Sequence, residues 1–198
     1  MRYRTIVVDP PWSITTGPTL KYSTDGMFAR GKKGASRSVP FSTLSVPEIA
    51  QLPVSDLAET NAHLYLWVIN AYVRDAYELV RGWGFTPAQL LTWCKSPHGL
   101  GPGGAFVSTT EHCLFARRGV LQHKTRIDST WWLWPRRIGP PVKPGKDRRT
   151  MHSAKPEAFI DMVEQVSPGP YVELFARRHR MGWDVWGDQS ANTAELAV

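Results

Sequence analysis

Asp9-Pro10-Pro11-Trp12 sets an acid, two prolines and an indole directly after Thr5-Ile6-Val7-Val8. Such an apolar run reads as a strand buried on both faces. Neither proline has a donor N–H, and each forces the residue before it into extended geometry. The segment is therefore a rigid corner at a strand's carboxyl end, where open α/β sheets bind ligands. It offers two acceptors, the Asp9 carboxylate and the Pro10 carbonyl, and Trp12 would add a flat apolar face. Two acceptors beside a stacking plate suit a planar amine such as adenine held out of its helix. A plain strand-ending turn with a packed tryptophan fits the same four residues.

Around this corner the chain has to supply a scaffold. Its 198 residues, 42% hydrophobic and 21% charged, suffice for one domain with a full core, over residues 1–189 with a frayed tail at 190–198. A net charge of +7 points to a polyanionic partner. Cys94 and Cys113 each sit in an apolar strand-like run and read as buried free thiols of a reducing interior. The start of the chain shows no signal peptide and no run is long enough to span a membrane, so the expectation is a soluble, cytoplasmic protein.

Strand and helix patterns then alternate. Ser45 to Glu48 forms a capping box for a short helix from Val46 to about Leu52-Pro53. His63–Val68 reads as a buried strand, Asn70 as the cap of a helix over 71–82, and 88–94 as the next strand. Glu111–Arg117 is a further strand, Ser129–Trp134 another, Pro156–Val166 an amphipathic helix, and Tyr171–Ala176 and Trp183–Trp186 the last strands. This order predicts an α/β fold with a mostly parallel central sheet and helices on both faces.

Two long segments, 13–41 and 124–152, interrupt the pattern and read as substrate-side loops. Gly26 to Lys32 has P-loop spacing, but Lys33 stands where a hydroxyl is required and no strand leads in. Gly99–Gly104 lacks the dinucleotide spacing. His112 and Cys113 are neighbours on one strand and face opposite ways, and His98 and His123 have no partners at ligand spacing, so no metal site is visible. Arg126, Arg136, Arg137, Lys143, Lys146, Arg148 and Arg149 surround Trp131-Trp132-Leu133-Trp134. Cations interleaved with rings suit the phosphates and bases of nucleic acid; the alternative is a solvated loop whose tryptophans pack back on the core.

Asp9-Pro10-Pro11-Trp12 resembles the catalytic motif of the MT-A70 family of adenine N6-methyltransferases. The likeness continues, in order, through His63-Leu64-Tyr65-Leu66-Trp67-Val68, Glu111-His112-Cys113-Leu114, His152-Ser153-Ala154-Lys155-Pro156 and Ser167-Pro168-Gly169, and ends in Glu173-Leu174-Phe175-Ala176-Arg177. The resemblance implies a Rossmann-like fold, S-adenosylmethionine as methyl donor with S-adenosylhomocysteine as product, and no metal. It implies catalysis by Asp9, Pro10, Pro11 and Trp12, with Asp9, Lys155, Phe175, Arg177, His179 and Gln189 around the cofactor. Glu173 matches a family acid and joins the cofactor set with its side-chain role open. The substrate side comprises Trp12, Phe41, Asn70, Arg136, Arg137, Arg148 and Arg149; Phe41 matches the end of a family gate and could equally be a core residue. Arg180 and Asp188 stand where the eukaryotic enzyme has asparagines, and the family segment before the catalytic strand has no counterpart ahead of Met1. The implied partner is adenine in DNA or RNA, with DNA favoured by analogy to compact bacterial and phage relatives. The chain would act as a monomer or dimer, or beside a partner subunit. A non-catalytic nucleic-acid-binding subunit is the competing class, because some family members have lost the motif.

Overall fold

A computed structural model describes residues 1–13, 20–22, 28–30, 43–95, 105–106, 108–134 and 155–187, with side chains outside 20–22 and 28–30. Its central sheet has seven strands: β1 (Tyr3–Val8), β4 (Ala58–Val68), β5 (Thr86–Cys94), β6 (Thr110–Arg118), β7 (Trp131–Trp132), β8 (Tyr171–Leu174) and β9 (Trp183–Trp186). A separate antiparallel pair, β2 (Leu20–Tyr22) and β3 (Phe28–Arg30), lies inside the first long segment, which the sequence pattern had left without strands. The helices are α1 (Val46–Ala50), α2 (Val54–Leu57), α3 (Val73–Gly82) and α4 (Glu157–Val166).

In space the strands run β7-β5-β6-β4-β1-β8-β9. Pairings β1–β4, β1–β8, β8–β9 and β5–β7 are parallel, whereas β6 runs antiparallel to both β4 and β5. The sheet is thus mixed, and β6 is its one reversed strand. From β1 the chain goes first to one side (β4) and later to the other (β8), so the carboxyl end of β1 faces a topological switch point.

Alternation along the strands sorts side chains onto two faces. Ile6 and Val8, Leu64, Leu66 and Val68, Leu114 and Ala116, and Val172 and Leu174 form one core with α1, α2 and α3, through Ile49, Val54, Leu57, Ala76, Leu79 and Val80. Val7, Tyr65, Trp67, Trp93 and Cys113 form the other, roofed by Phe159, Ile160, Met162 and Val163 of α4. Helices therefore cover both faces. Cys94 and Cys113 are free thiols, Cys113 buried and Cys94 only partly so.

Several boundaries differ from the sequence pattern for physical reasons. Asn70 does not cap α3: residues Asn70–Tyr72 form a 3-10 turn, α3 begins at Val73, and the Asn70 amide donates to Ser108 Oγ at 3.1 Å. The short helix ends at Ala50 and a second turn of helix follows from Val54, split by Pro53. Its expected cap is present, with the Glu48 carboxylate accepting from the Ser45 N–H at 2.7 Å. β8 stops at Leu174 because Phe175 takes φ of 64°, the left-handed region. The strand expected from Ser129 is reduced to Trp131–Trp132.

Candidate active site

The face roofed by α4 carries the polar chemistry. Asp9 lies two residues beyond Val7 of β1, and Glu173 of β8 pairs with Val7. Glu111 at the start of β6 pairs with Trp93 of β5, and Lys95 follows β5 by one residue. Period-two alternation turns all four side chains to the same face at the same sheet edge. Because β6 is reversed, its first residue meets the last residues of its parallel neighbours.

Lys155, just ahead of α4, reaches down into this group. Its Nζ lies 2.7 Å from Asp9 Oδ1 and 2.9 Å from Oδ2, and 3.4 Å from Glu111 Oε2. Lys95 pairs with Glu111 Oε1. The Lys155 ammonium also sits 5.1 Å from the centroid of the Trp67 ring, within cation–π range. Burial alone would lower the lysine, but Asp9 and Glu111 beside it hold it above its ordinary value. Burial would likewise raise the Glu111 carboxyl, yet Lys155 and Lys95 keep it below the usual range. At Glu173 the balance goes the other way: burial first, then Asp9, push it up to about 7, against a smaller opposing pull from Arg178, Lys155 and Arg177. The Cys113 thiol is raised well above its ordinary value by burial and by Asp9, which makes it a poor nucleophile.

The corner itself is held rigidly. The Asp9 N–H donates to the Leu174 carbonyl at 3.3 Å, the Trp12 N–H to the Pro10 carbonyl at 2.9 Å, and the Leu44 N–H to the Pro11 carbonyl at 2.9 Å. Trp12, expected as an open plate, is 5% exposed and belongs to the opposite core. Its indole N–H donates to the Trp67 carbonyl at 2.9 Å and its ring stacks on Tyr72 at 5.0 Å. The plate is thus occupied by the protein, and the indole works as a wedge that fixes the corner against the end of β4.

Of the residues singled out from sequence, the structure brings together Asp9, Lys155 and Glu173. It places Phe175, Arg177 and His179 on the segment leaving β8 at the same edge; Phe175 meets Trp186 edge-on at 5.3 Å. Asn70 is exposed at the end of β4, bound to Ser108. Phe41, Arg136, Arg137, Arg148, Arg149 and Gln189 lie outside the described residues. Arg126 pairs with Asp128 at 2.8 Å and Lys124 donates to the Glu164 carbonyl at 2.7 Å, so these two cations of the basic segment have local partners. Trp132 and Trp134 stack on each other at 5.0 Å against the α4-side core, while Trp131 is 57% exposed.

Sequence reasoning passed over Lys95 and gave no role to Glu111 or Trp67. The available signal was a charge at the mouth of an apolar run in each of 88–95 and 111–116. What it lacked was the reversal of β6, which brings the two mouths together.

An α/β sheet with a rigid acceptor corner at its switch point, flanked by a buried acid–lysine cluster, is a frame suited to positioning a polar ligand for direct displacement. The chain belongs to the MT-A70 family, whose profile matches residues 3–189. Membership sets the reaction as methylation of adenine N6 in nucleic acid, and implies S-adenosylmethionine as the donor and its methyltransferase fold. The chain is 29% identical over 193 residues to the type II methyltransferase M.MunI of a Mycoplasma species, covering 94% of this chain and 77% of that protein. It is 27% identical to human N(6)-adenine-specific methyltransferase METTL4 and 24% identical to human N(6)-adenosine-methyltransferase catalytic subunit METTL3. Those two matches cover 93% and 95% of this chain but only 36% and 28% of the relatives.

The residues fit such a donor. The indole N–H of Trp67 is a buried donor without an acceptor among the described residues, at the floor of the cluster. At the exit of β8, a Cβ on Gly187 would lie 2.5 Å from the Ala176 carbonyl oxygen, so the chain is drawn close beside the left-handed Phe175. Among the described residues no three His, Cys, Asp or Glu side chains gather as a metal site would require, and no helix is long and apolar enough to cross a membrane.

Proposed function

We propose that this chain transfers a methyl group from S-adenosylmethionine to the N6 amino group of adenine in DNA, with Asp9 and the Pro10 carbonyl as the groups that hold the amino nitrogen. The observation that carries this reading is the placement of Asp9: at the carboxyl end of the central strand, gripped through both oxygens by Lys155. S-adenosylmethionine supplies an electrophilic methyl on a sulfonium leaving group. Everything else asked of the protein is position and field.

The amino nitrogen of adenine is a weak nucleophile, because its lone pair is delocalised into the ring. Asp9 still has lone pairs to offer beyond those that meet Lys155, and the Pro10 oxygen has one beyond that meeting the Trp12 N–H. Two acceptors on the amino hydrogens favour a pyramidal nitrogen and fix its direction. Lys155 prevents the Asp9 carboxylate from turning, so the corner is set before the base arrives. Trp12 and Leu44 hold the two prolines from the other side. In this reading the cofactor lies along the segment after β8, among Phe175, Arg177 and His179, with Gln189 beyond it. The exposed Asn70 and the arginines at 136, 137, 148 and 149, together with Phe41, serve the nucleic acid.

DNA is favoured because the relative whose length the chain covers to 77% is named a type II methyltransferase. The RNA reading draws on the relatives named for adenosine, of which the chain covers about a quarter. Methylation of matched DNA and RNA strands in competition, with nucleoside analysis of each, separates the two. Transfer to DNA is expected; preferential transfer to RNA would overturn the DNA assignment.

A further inference from the structure

Helix α4 carries Glu157, Asp161 and Glu164 at helical spacing, which places the three carboxylates along one face. All three meet arginines of the segment that joins β8 to β9. Glu157 pairs with Arg178. Arg180 turns one edge of its guanidinium to Glu164, with Nε donating to Oε1 at 2.9 Å and Nη2 to Oε2 at 2.7 Å. Nη2 also donates to Asp161 Oδ1 at 2.8 Å. Two parallel bonds in such a fork fix direction as well as distance. Glu164 Oε1 accepts a further bond, at 2.7 Å, from the indole N–H of Trp183, the first residue of β9. The buried Trp183 ring stacks on Tyr171 of β8 at 4.7 Å, so Glu164 ties the segment and the sheet to the same helix.

The segment so held leaves the sheet between two backbone bonds. The Ala176 N–H donates to the Trp186 carbonyl at 3.0 Å, and the Trp183 N–H to the Arg180 carbonyl at 3.1 Å. Phe175, Arg177 and His179, assigned above to the cofactor, stand on this segment, while Lys155 at the entry to α4 grips Asp9. We infer that Arg180 is a positioning residue for the cofactor: with Arg178 it clamps the β8–β9 segment to α4. Phe175, Arg177, His179 and Lys155 are then presented to S-adenosylmethionine by one body. This rests on the methyltransferase reading above. Arg180, Glu164 and Asp161 are all partly exposed, and ion pairs at such positions add little to overall stability. The clamp acts instead by ordering the segment in advance, which removes an entropy cost otherwise met on binding.

The test is a double-mutant cycle on Arg180 and Glu164, read by calorimetry with S-adenosylmethionine and by hydrogen exchange of the cofactor-free protein. Arg180→Ala and Glu164→Gln should each weaken the cofactor about fivefold, and the double variant no more than either alone, as residues acting through one contact do. Without cofactor, the amides of 176–183 should exchange faster in both single variants while the rest of the sheet keeps its protection. The KM for S-adenosylmethionine should rise and kcat at saturating cofactor should hold, a split that a general loss of folded protein does not produce. Unchanged affinity in the variants would overturn the inference. So would additive losses, or a loss confined to Arg180→Ala, since either makes Arg180 a direct contact of the cofactor. Faster exchange across the whole chain with a matching fall in kcat would overturn it too, leaving Arg180 to serve the fold alone. Absence of binding by the wild type would overturn the reading on which the inference rests.

Discussion

Asp9, Lys155 and Glu111 act as one charge system, so substituting one residue shifts the others. Lys155→Ala removes the cation shared by two buried carboxyls and leaves them facing each other. Breaking a buried pair on one side is expensive, about 3–5 kcal/mol where burial is complete. We expect Lys155→Ala to lower the thermal midpoint and to weaken S-adenosylmethionine binding by calorimetry; unchanged affinity would remove Lys155 from the cofactor's surroundings. Glu111→Gln should reduce transfer at least about tenfold through loss of preorganised charge, with Lys95 left uncompensated. Near-normal turnover in that variant would restrict Glu111 to a packing role. At this scale the sequence was legible where a residue's chemistry is carried by its immediate neighbours: an acid before two prolines can be read as an acceptor corner from four letters. For Trp12 the same letters left a stacking plate and a packed indole both open, because its partner Tyr72 and its acceptor at Trp67 lie far along the chain.

The elements position this system through register. A one-residue slip of β6 would exchange Glu111 and Cys113 for His112 and Leu114 on the α4 side and destroy the cluster. Strands β1, β4, β8 and β9 and helix α4 were visible as apolar runs or 3.6-residue periodicity, since each is buried and its pattern is local. Strand direction was not visible, and β7, expected over Ser129–Trp134, is cut to the two residues whose pairing with Thr92 and Trp93 is entirely non-local. The exit of β8 gives a sharp test of element packing. Gly187 lies against the Ala176 backbone, where a Cβ would meet the carbonyl oxygen at 2.5 Å and the nitrogen at 2.8 Å. Gly187→Ala should therefore destabilise the fold by about 1–3 kcal/mol, the usual range for forced overpacking. Denaturant unfolding with no loss of stability would show that the β8 and β9 ends are not held as tightly as the structure indicates.

For the whole molecule, charge sets both stability and binding. Glu173 is raised in the fold, so its ionisation costs stability above the ordinary carboxylate value of 4.5, and the full cost is reached above about 7. Glu173→Gln should therefore melt at a higher temperature than wild type at pH 7.5, and the difference should close as pH falls towards 4.5. Glu111 has the opposite sign: lowered in the fold, it stabilises above 4.5 and that contribution is lost as pH falls below this value. Its share of stability should therefore appear as a decline at acid pH that Glu111→Gln lacks. The net charge of +7 predicts that DNA binding weakens by at least about tenfold between roughly 50 and 200 mM salt, as expected for as few as two phosphate contacts. The central claim is that the Asp9 corner directs methyl transfer to adenine N6. The most direct measurement is transfer from labelled S-adenosylmethionine to DNA by wild type and Asp9→Ala, followed by nucleoside analysis and calorimetry of cofactor binding. The account predicts N6-methyladenine with wild type and none with Asp9→Ala, while cofactor affinity stays within about tenfold, since Glu111 still pairs with Lys155 and the acceptor for the reacting nitrogen is what transfer cannot do without. Near-normal turnover in Asp9→Ala, or label on a base other than adenine, would contradict it.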